Sequence, residues 1–163
     1  VARALIVGCG CRGRLLAERL LGEGWAVRGT SRREDGLAAI EAAGAEPALA
    51  DPDRPGTLLE LVGDVTVVHW LLGSAQAEPE VIAAIHGPRL EHTLERLVDT
   101  PVRGFVYEAA GRVQPHHLER GEAAVRSAGE RWRIPVAIVA ADPADPLAWA
   151  EEMGAATLRL TAA

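Results

Sequence analysis

Two patterns of hydrophobic and polar positions alternate along the chain: short, nearly continuous apolar runs, and longer stretches in which apolar residues recur every three or four positions. The first pattern suits strands buried on both faces, and the second suits amphipathic helices. Ala4 to Val7 is the first apolar run. A helical pattern with Leu16 and Leu20 on one face follows, then the turn Gly22-Glu23-Gly24 and a second strand, Ala26 to Thr30. Leu37, Ile40 and Glu41 belong to a helix ending near Gly44, and Ala45 to Leu49 reads as a third strand. Asp51-Pro52-Asp53-Arg54-Pro55 is turn-rich, and a short helix runs from Thr57 to Val62. The β-branched, continuously apolar run Val65 to Leu72 predicts a central strand.

One helical turn is expected near Val81 to Ile85. Pro88 then opens a clear helix in which Leu90, Leu94, Leu97 and Val98 share a face. Val102 to Tyr107 is a fifth strand, and Leu118, Gly121, Val125, Ala128 and Trp132 mark one face of the next helix. Ile134 to Ala140 is a sixth strand, with Pro135 near its start where proline is tolerated. A helix from Leu147 to Met153 and a candidate seventh strand, Thr157 to Leu160, complete the chain. Such alternation predicts an α/β protein, a single Rossmann-like domain over residues 1–163. Its doubly wound parallel sheet has strand order 3-2-1-4-5-6, with helices on both faces and a possible seventh C-terminal strand.

The first strand runs into Gly8-Cys9-Gly10-Cys11-Arg12-Gly13, which fits G-x-G-x-x-G. In that motif the first glycine permits the tight turn, the second lets the backbone approach a pyrophosphate, and the third lets the helix pack on the sheet. Free N–H groups at the helix start, around Cys11 and Arg12, would face the anion, helped by the helix dipole. The strand before and the helix and strand after give the motif the context it needs, so a dinucleotide is the implied ligand. The bland alternative is a structural turn.

The tip of the second strand bears on which dinucleotide. A carboxylate there accepts hydrogen bonds from the ribose 2′-hydroxyl of NAD. This chain instead reads Thr30-Ser31-Arg32-Arg33, two hydroxyls followed by two guanidiniums, which suits a 2′-phosphate and favours NADP(H), with NAD as the alternative. In the competing reading Arg32 and Arg33 merely solvate the start of the next helix.

Composition narrows the class. The net charge is −6 and aromatics make up 4% of the residues, so Ala, Val, Leu and Ile must fill the core. The acidic balance argues against nucleic-acid binding, which rests on neutralising phosphates. All the basic side chains are arginines; lysine is absent. No apolar stretch is long enough to cross a bilayer and no secretory pattern opens the chain, so a cytoplasmic protein is expected. Cys9 and Cys11 lie too close to bridge without strain and are expected to be reduced; the alternatives are filling turn positions or a redox-sensitive thiol at the helix start. His86, His92, His116 and His117 show no zinc-finger spacing, and no metal is expected.

Taken in order, GCGCRG, the Thr-Ser-Arg-Arg strand end, Ala50-Asp51 after the third strand, VVHWLLGSA, VRGFVYEAAG and IPVAIV resemble the extended and atypical short-chain dehydrogenase/reductases, which include nucleotide-sugar epimerase-like proteins. The resemblance covers nearly the whole chain. It implies that Asp51 bonds the adenine amino group and that the backbone around Leu71, Leu72 and Gly73 lines the adenosine and nicotinamide riboses. Loop capping is the other reading of Asp51.

The departures from that family concern chemistry. Family members use a Tyr and a Lys four positions apart on the helix after the fifth strand, the Lys lowering the Tyr pKa. Here that helix reads His116-His117-Leu118-Glu119-Arg120-Gly121-Glu122; a residue near His117 stands in the tyrosine's place and Gly121 or its neighbour in the lysine's. Glu108, Ala109 and Ala110 replace the usual serine, and the only tyrosine, Tyr107, lies in the strand. The family's C-terminal substrate lobe is also expected to be missing. His117 with Glu108 or Glu122 is a conceivable acid–base pair, against surface histidines at a helix start. No catalytic residue is assigned.

Three functions stay open. The first is a non-catalytic or weakly catalytic NADP(H)-binding protein in a redox-sensing or accessory role. The second is an NADP-dependent oxidoreductase or epimerase-like enzyme with unconventional residues. The third is an interaction module whose turn is never occupied. The helix from Pro88 and the tail offer apolar surface on which a homodimer could form.

Overall fold

Alternate residues of the first, fourth, fifth and sixth strands belong to two separate apolar clusters, and this is why the sheet is covered on both sides. The computed structural model describes residues 1–162. Its strands are β1 (Arg3–Val7), β2 (Ala26–Ser31), β3 (Glu46–Leu49), β4 (Val67–Trp70), β5 (Gly104–Glu108) and β6 (Val136–Val139). They form one parallel sheet in the order β3-β2-β1-β4-β5-β6. The strand order reverses between β1 and β4, where Val7 lies beside Trp70 and Trp70 beside Tyr107, so the carboxyl ends of the central strands finish level.

The helices are α1 (Cys11–Gly22), α2 (Leu37–Ala42), α3 (Pro55–Leu59), α4 (Pro79–Ile85), α5 (Pro88–Leu97), α6 (Pro115–Trp132) and α7 (Pro146–Thr161). Five of them carry proline in the first turn, where its fixed φ suits the helix and its missing N–H costs nothing. On one face of the sheet, Ala4, Ile6 and Val106 pack against Leu16 and Leu20 of α1, Ile40 of α2, and Trp149 and Met153 of α7. On the other, Leu5, Val68, Trp70 and Phe105 meet Leu58 of α3, Leu90 and Leu94 of α5, and Val125 of α6. Each fully buried large side chain contributes about 1.5–3 kcal/mol.

The chain has six strands among the described residues, and Thr157 to Leu160 is not a seventh. Those residues continue α7, which runs unbroken to Thr161. Trp149, Ala150, Met153, Ala156 and Thr157 recur at helical spacing and are buried as one face. Gly154, just past the helix end expected at Met153, is a crossing point: a Cβ there would lie 2.9 Å from Cγ of Arg19 on α1. The Thr157 hydroxyl bonds back to the Met153 carbonyl at 2.8 Å, so the β-branched residue is accommodated within the helix. Elsewhere the strand ends fall within two residues of the predicted runs: β1, β2 and β5 reach one residue beyond them, at Arg3, Ser31 and Glu108, while β3, β4 and β6 are shorter than theirs.

The core holds polar groups that are nearly all satisfied. His69 on β4 lies between the Leu5 carbonyl and the Thr157 hydroxyl, at 3.3 and 2.8 Å. His86 spans the Tyr107 hydroxyl, 2.6 Å from Nδ1, and the Leu72 carbonyl, 3.0 Å from Nε2. A carbonyl can only accept, so Nε2 carries the proton and Tyr107 donates to Nδ1. Gly121 on α6 makes room for that hydroxyl, because a Cβ at Gly121 would overlap it at 1.9 Å. The Gly121→Ala variant is therefore expected to lose roughly 2–4 kcal/mol in urea unfolding, by overpacking and loss of the tyrosine–histidine bond; an unchanged midpoint would contradict this packing.

Burial pushes His69 and His86 down to about 4 from 6.5, with the charge of His117 adding to the effect at His86. Between about pH 6.5 and 4 the unfolded chain thus binds more protons than the folded one, and stability falls on acidification. The buried carboxyl of Glu108, raised by desolvation, acts in the opposite sense with one proton against two. One net proton corresponds to a loss of roughly 1.4 kcal/mol per pH unit in that window. Unfolding free energies that stay flat from pH 7 to pH 4.5 would rule this out.

Candidate nucleotide site

At the carboxyl end of β1 the chain turns through Gly8, whose φ is +84°. A Cβ there would lie 2.6 Å from the Leu71 carbonyl oxygen, so only glycine fits both the dihedral and the space. The turn is pinned from the side by β2: Cys9 N donates to the Thr30 carbonyl at 3.0 Å and Gly8 N to the Thr30 hydroxyl at 3.3 Å. Gly10 N closes onto the Gly8 carbonyl at 2.9 Å, and Gly10 caps α1 with no side-chain cap. Gly13 lets α1 approach, its Cβ position being 3.2 Å from the Gly8 carbonyl and 3.4 Å from Ile6 Cγ2. The amides of Cys11, Arg12 and Gly13 belong to the first helical turn, whose N–H groups lack intrahelical acceptors, and no acidic residue lies there.

A cleft of about 380 Å³ opens above this turn. Gly8 and Gly10 form its floor, Arg12 and Arg14 one wall, Thr30, Ser31, Arg32 and Arg33 another, and Leu71 and Leu72 the third. A Cβ on Gly10 would meet nothing within 4 Å, so the second glycine of the motif faces open space. Arg12 Nε is buried and has no partner.

The sequence-derived site residues separate here into several roles. Thr30 lines the cleft, but its hydroxyl is spent on Gly8 N rather than offered to a ligand. Ser31 Oγ is held by Arg33 N at 3.1 Å and by the Arg33 carbonyl at 2.8 Å. Arg33 is engaged by both carboxylate oxygens of Asp35, at 3.1 and 2.9 Å, which raises the guanidinium pKa and lowers that of the carboxyl. Arg32 reaches the Gln76 carbonyl at 3.2 Å and has no carboxylate partner. Asp51 lies beside the cleft while its neighbours Ala50 and Pro52 line it; Asp51 Oδ1 accepts from Asp53 N at 2.9 Å, a loop-capping contact. Gly73 stands behind the cleft wall, its N–H donating to Glu108 Oε1 at 2.9 Å. Cys11 is exposed and lies 3.5 Å from Arg14 Nη2, whereas Cys9 is buried, which pushes its thiol up to about 11.

Glu108 is the residue that sequence reasoning undervalued. It is 1% exposed at the end of β5, with Oε1 on Gly73 N and Oε2 on Trp149 Nε1 at 2.9 Å. Desolvation raises its pKa, and the donors and Arg12 oppose the rise. Arg12 in turn lies 5.6 Å from the Trp149 ring centre. Arg14 and Trp149 were likewise not singled out; a carboxylate ending an otherwise apolar strand was the available signal for Glu108.

The acid–base candidates do not come together. Both Glu108 oxygens are committed, Glu122 pairs with Arg126 at 3.0 Å, and His117 stacks on His116 at 3.9 Å between ring centres. Tyr107 points into the core at His86, away from the cleft, and burial pushes its phenol far above its usual range. Among the described residues no group of three His, Cys, Asp or Glu side chains is placed to hold a metal ion, and no helix is long and apolar enough to cross a membrane.

No family model matches this chain, and no curated protein matches it. Solved structures do. The triphenylmethane reductase of Citrobacter sp., complexed with NADP(H), is 17% identical with a TM-score of 0.62 over 83% of this chain and 48% of the other. A UDP-glucose 4-epimerase from Thermotoga maritima with UDP-glucose is 14% identical, TM-score 0.69, over 83% and 54%. A metagenomic short-chain oxidoreductase in complex with NADP is 18% identical, TM-score 0.69, over 99% and 91%. The chain thus spans about half the length of the first two and most of the third. With the sheet order and the glycine turn, these likenesses establish that the chain has the Rossmann fold of the short-chain dehydrogenase/reductase and epimerase-like structures.

Proposed function

We propose that this chain is an NADP(H)-binding Rossmann protein that lacks the proton-transfer pair of the reductases it resembles and serves a non-catalytic, accessory role. The observation that carries the binding half is the cleft itself: an uncapped helix start, a glycine facing open space, and arginines on two walls. These features suit a pyrophosphate at the turn and a 2′-phosphate at the β2 tip. Neighbours of the same fold were solved with NADP(H) and with NADP.

Of the two tip arginines, Arg32 is the better ligand for a 2′-phosphate. Its partner is one neutral carbonyl, whereas Arg33 would have to leave a bidentate carboxylate. Bound NADP(H) would supply a hydride donor or acceptor, and the tyrosine and lysine that move the proton in the family have no counterpart on α6. Lysine is absent from the chain, Tyr107 is locked in the core, and the position of the family's serine is held by alanines beside a fully engaged Glu108. That set of observations favours an accessory role over the alternative, an NADP-dependent oxidoreductase or epimerase-like enzyme with unconventional residues.

Two variants test the site. Arg32→Ala should weaken NADPH binding by roughly 1.5–3 kcal/mol, the worth of hydrogen bonds to a charged group; equal affinity by titration calorimetry removes Arg32 from the site. Gly10→Ala should fold with nearly unchanged stability, since its methyl meets no protein atom, yet lose about tenfold or more in NADPH affinity because that methyl stands where the pyrophosphate would approach. Sustained NADPH oxidation with an aldehyde, ketone or sugar nucleotide would overturn the non-catalytic reading.

A further inference from the structure

Seven of the seventeen arginines are held in ion pairs, which leaves ten without one among the described residues. Three of the ten, Arg12, Arg14 and Arg32, line the nucleotide cleft. Three others, Arg103, Arg131 and Arg133, gather around Trp132. Trp25, Trp70 and Trp149 are buried, whereas Trp132, the last residue of α6, is partly exposed. The Arg131 guanidinium lies 5.4 Å from its ring centre. Beside the indole a cavity of about 370 Å³ opens between the end of α5 and the entries to β5 and β6. Its apolar walls include Leu97, Val98, Val102 and Ile134, and the charged residues that line it are Arg103 and Arg133. Val98 is 45% exposed there, although it continues the apolar face of α5.

Arg133 has an uncommon backbone. Its φ is +55° at the residue that ends α6, a place where glycine is the usual choice. A left-handed arginine costs stability that glycine would not, so the helix end itself gives no reason for this side chain. On the other side of Trp132 a groove of about 470 Å³ runs between α5 and α6 over Leu94 and Ala128. Its α5 bank carries Glu91, which is paired with Arg120, and Glu95. The two hollows meet at Trp132, and the cationic end is the one at β5 and β6.

We propose that this pole of the molecule is a docking surface for an acidic segment of a partner protein, which seats an apolar side chain beside Trp132 and sets carboxylates against Arg103 and Arg133. Tryptophan and arginine are the residue types that dominate interface energetics. Apolar walls bearing guanidiniums and no carboxylate select an apolar anchor flanked by anions. A second copy fits less well, because a two-fold contact uses the same patch on both chains and would set these guanidiniums against one another. A nucleic acid is disfavoured by the net charge of −6. The strands are parallel, so their amino ends, where this surface lies, are at the opposite edge of the sheet from the nucleotide cleft. Both sites are open at once, and docking does not require the cleft to be filled.

Fluorescence anisotropy with two labelled decapeptide pools tests this, one with a central leucine or phenylalanine flanked by aspartate and glutamate, the other with lysine at the flanks. The whole chain is expected to bind the acidic pool about tenfold or more tightly than the lysine pool. Arg133→Gly is the decisive variant, since it removes the guanidinium and relieves the left-handed backbone. Its melting temperature should not fall, its affinity for NADPH should stay that of the parent, and its affinity for the acidic pool should drop about fivefold or more. Arg103→Gln should weaken the same pool in the same way. Equal binding of the two pools, binding of neither, or an Arg133→Gly variant that binds the acidic pool like the parent overturns the proposal. So does a single-stranded oligonucleotide that binds tighter than the acidic pool and is lost in Arg133→Gly, or a dimer in sedimentation that Trp132→Glu takes apart.

Discussion

The structure depends on how closely three backbone segments can meet at the carboxyl end of β1. Gly8 carries a positive φ and sits against the Leu71 carbonyl on one side, while both the carbonyl and the hydroxyl of Thr30 hold the turn on the other. A side chain at Gly8 would force the β4 exit away, and without Thr30 the amide of Gly8 would lose its acceptor. These contacts fix where α1 begins, and the start of α1 fixes where an anion can be received. The site is therefore a property of strand spacing before it is a property of any ligand-touching side chain.

A second constraint acts opposite the first. Glu108 joins the loop after β4 to α7 through two charge-assisted hydrogen bonds, in a place where burial disfavours its ionised form. A buried carboxyl survives there because both oxygens have donors and Arg12 lies near. The same bonds that satisfy it draw the β4 and β5 loops together.

Tyr107 holds three elements of the core together. Its hydroxyl donates to His86, whose other nitrogen holds the Leu72 carbonyl, and Gly121 on α6 yields the space. The glycine that stands near the expected lysine position is explained by this packing. The tyrosine is a strut between β5, α6 and the loop after β4.

Much of this was legible without coordinates. The strand order, the glycine turn and the arginines at the β2 tip follow from local patterns: apolar runs mark buried strands, and spaced glycines mark close approach. The C-terminal segment reads as a strand because Gly154 and Thr157 look like helix breakers in sequence, whereas Arg19 and His69, brought near from α1 and β4, accommodate them within α7. Thr30, Asp51 and Gly73 all lie at or beside the cleft, yet hydrogen bonds to Gly8, Asp53 and Glu108 occupy them, and such pairings span sequence distances that no motif encodes. What the sequence alone determined is the scaffold and the side of it that faces an anion, since both rest on contacts between neighbours along the chain. Only the tertiary structure decided which arginine is available and where Glu108 and Trp149 meet, because each of those depends on residues brought together from distant elements.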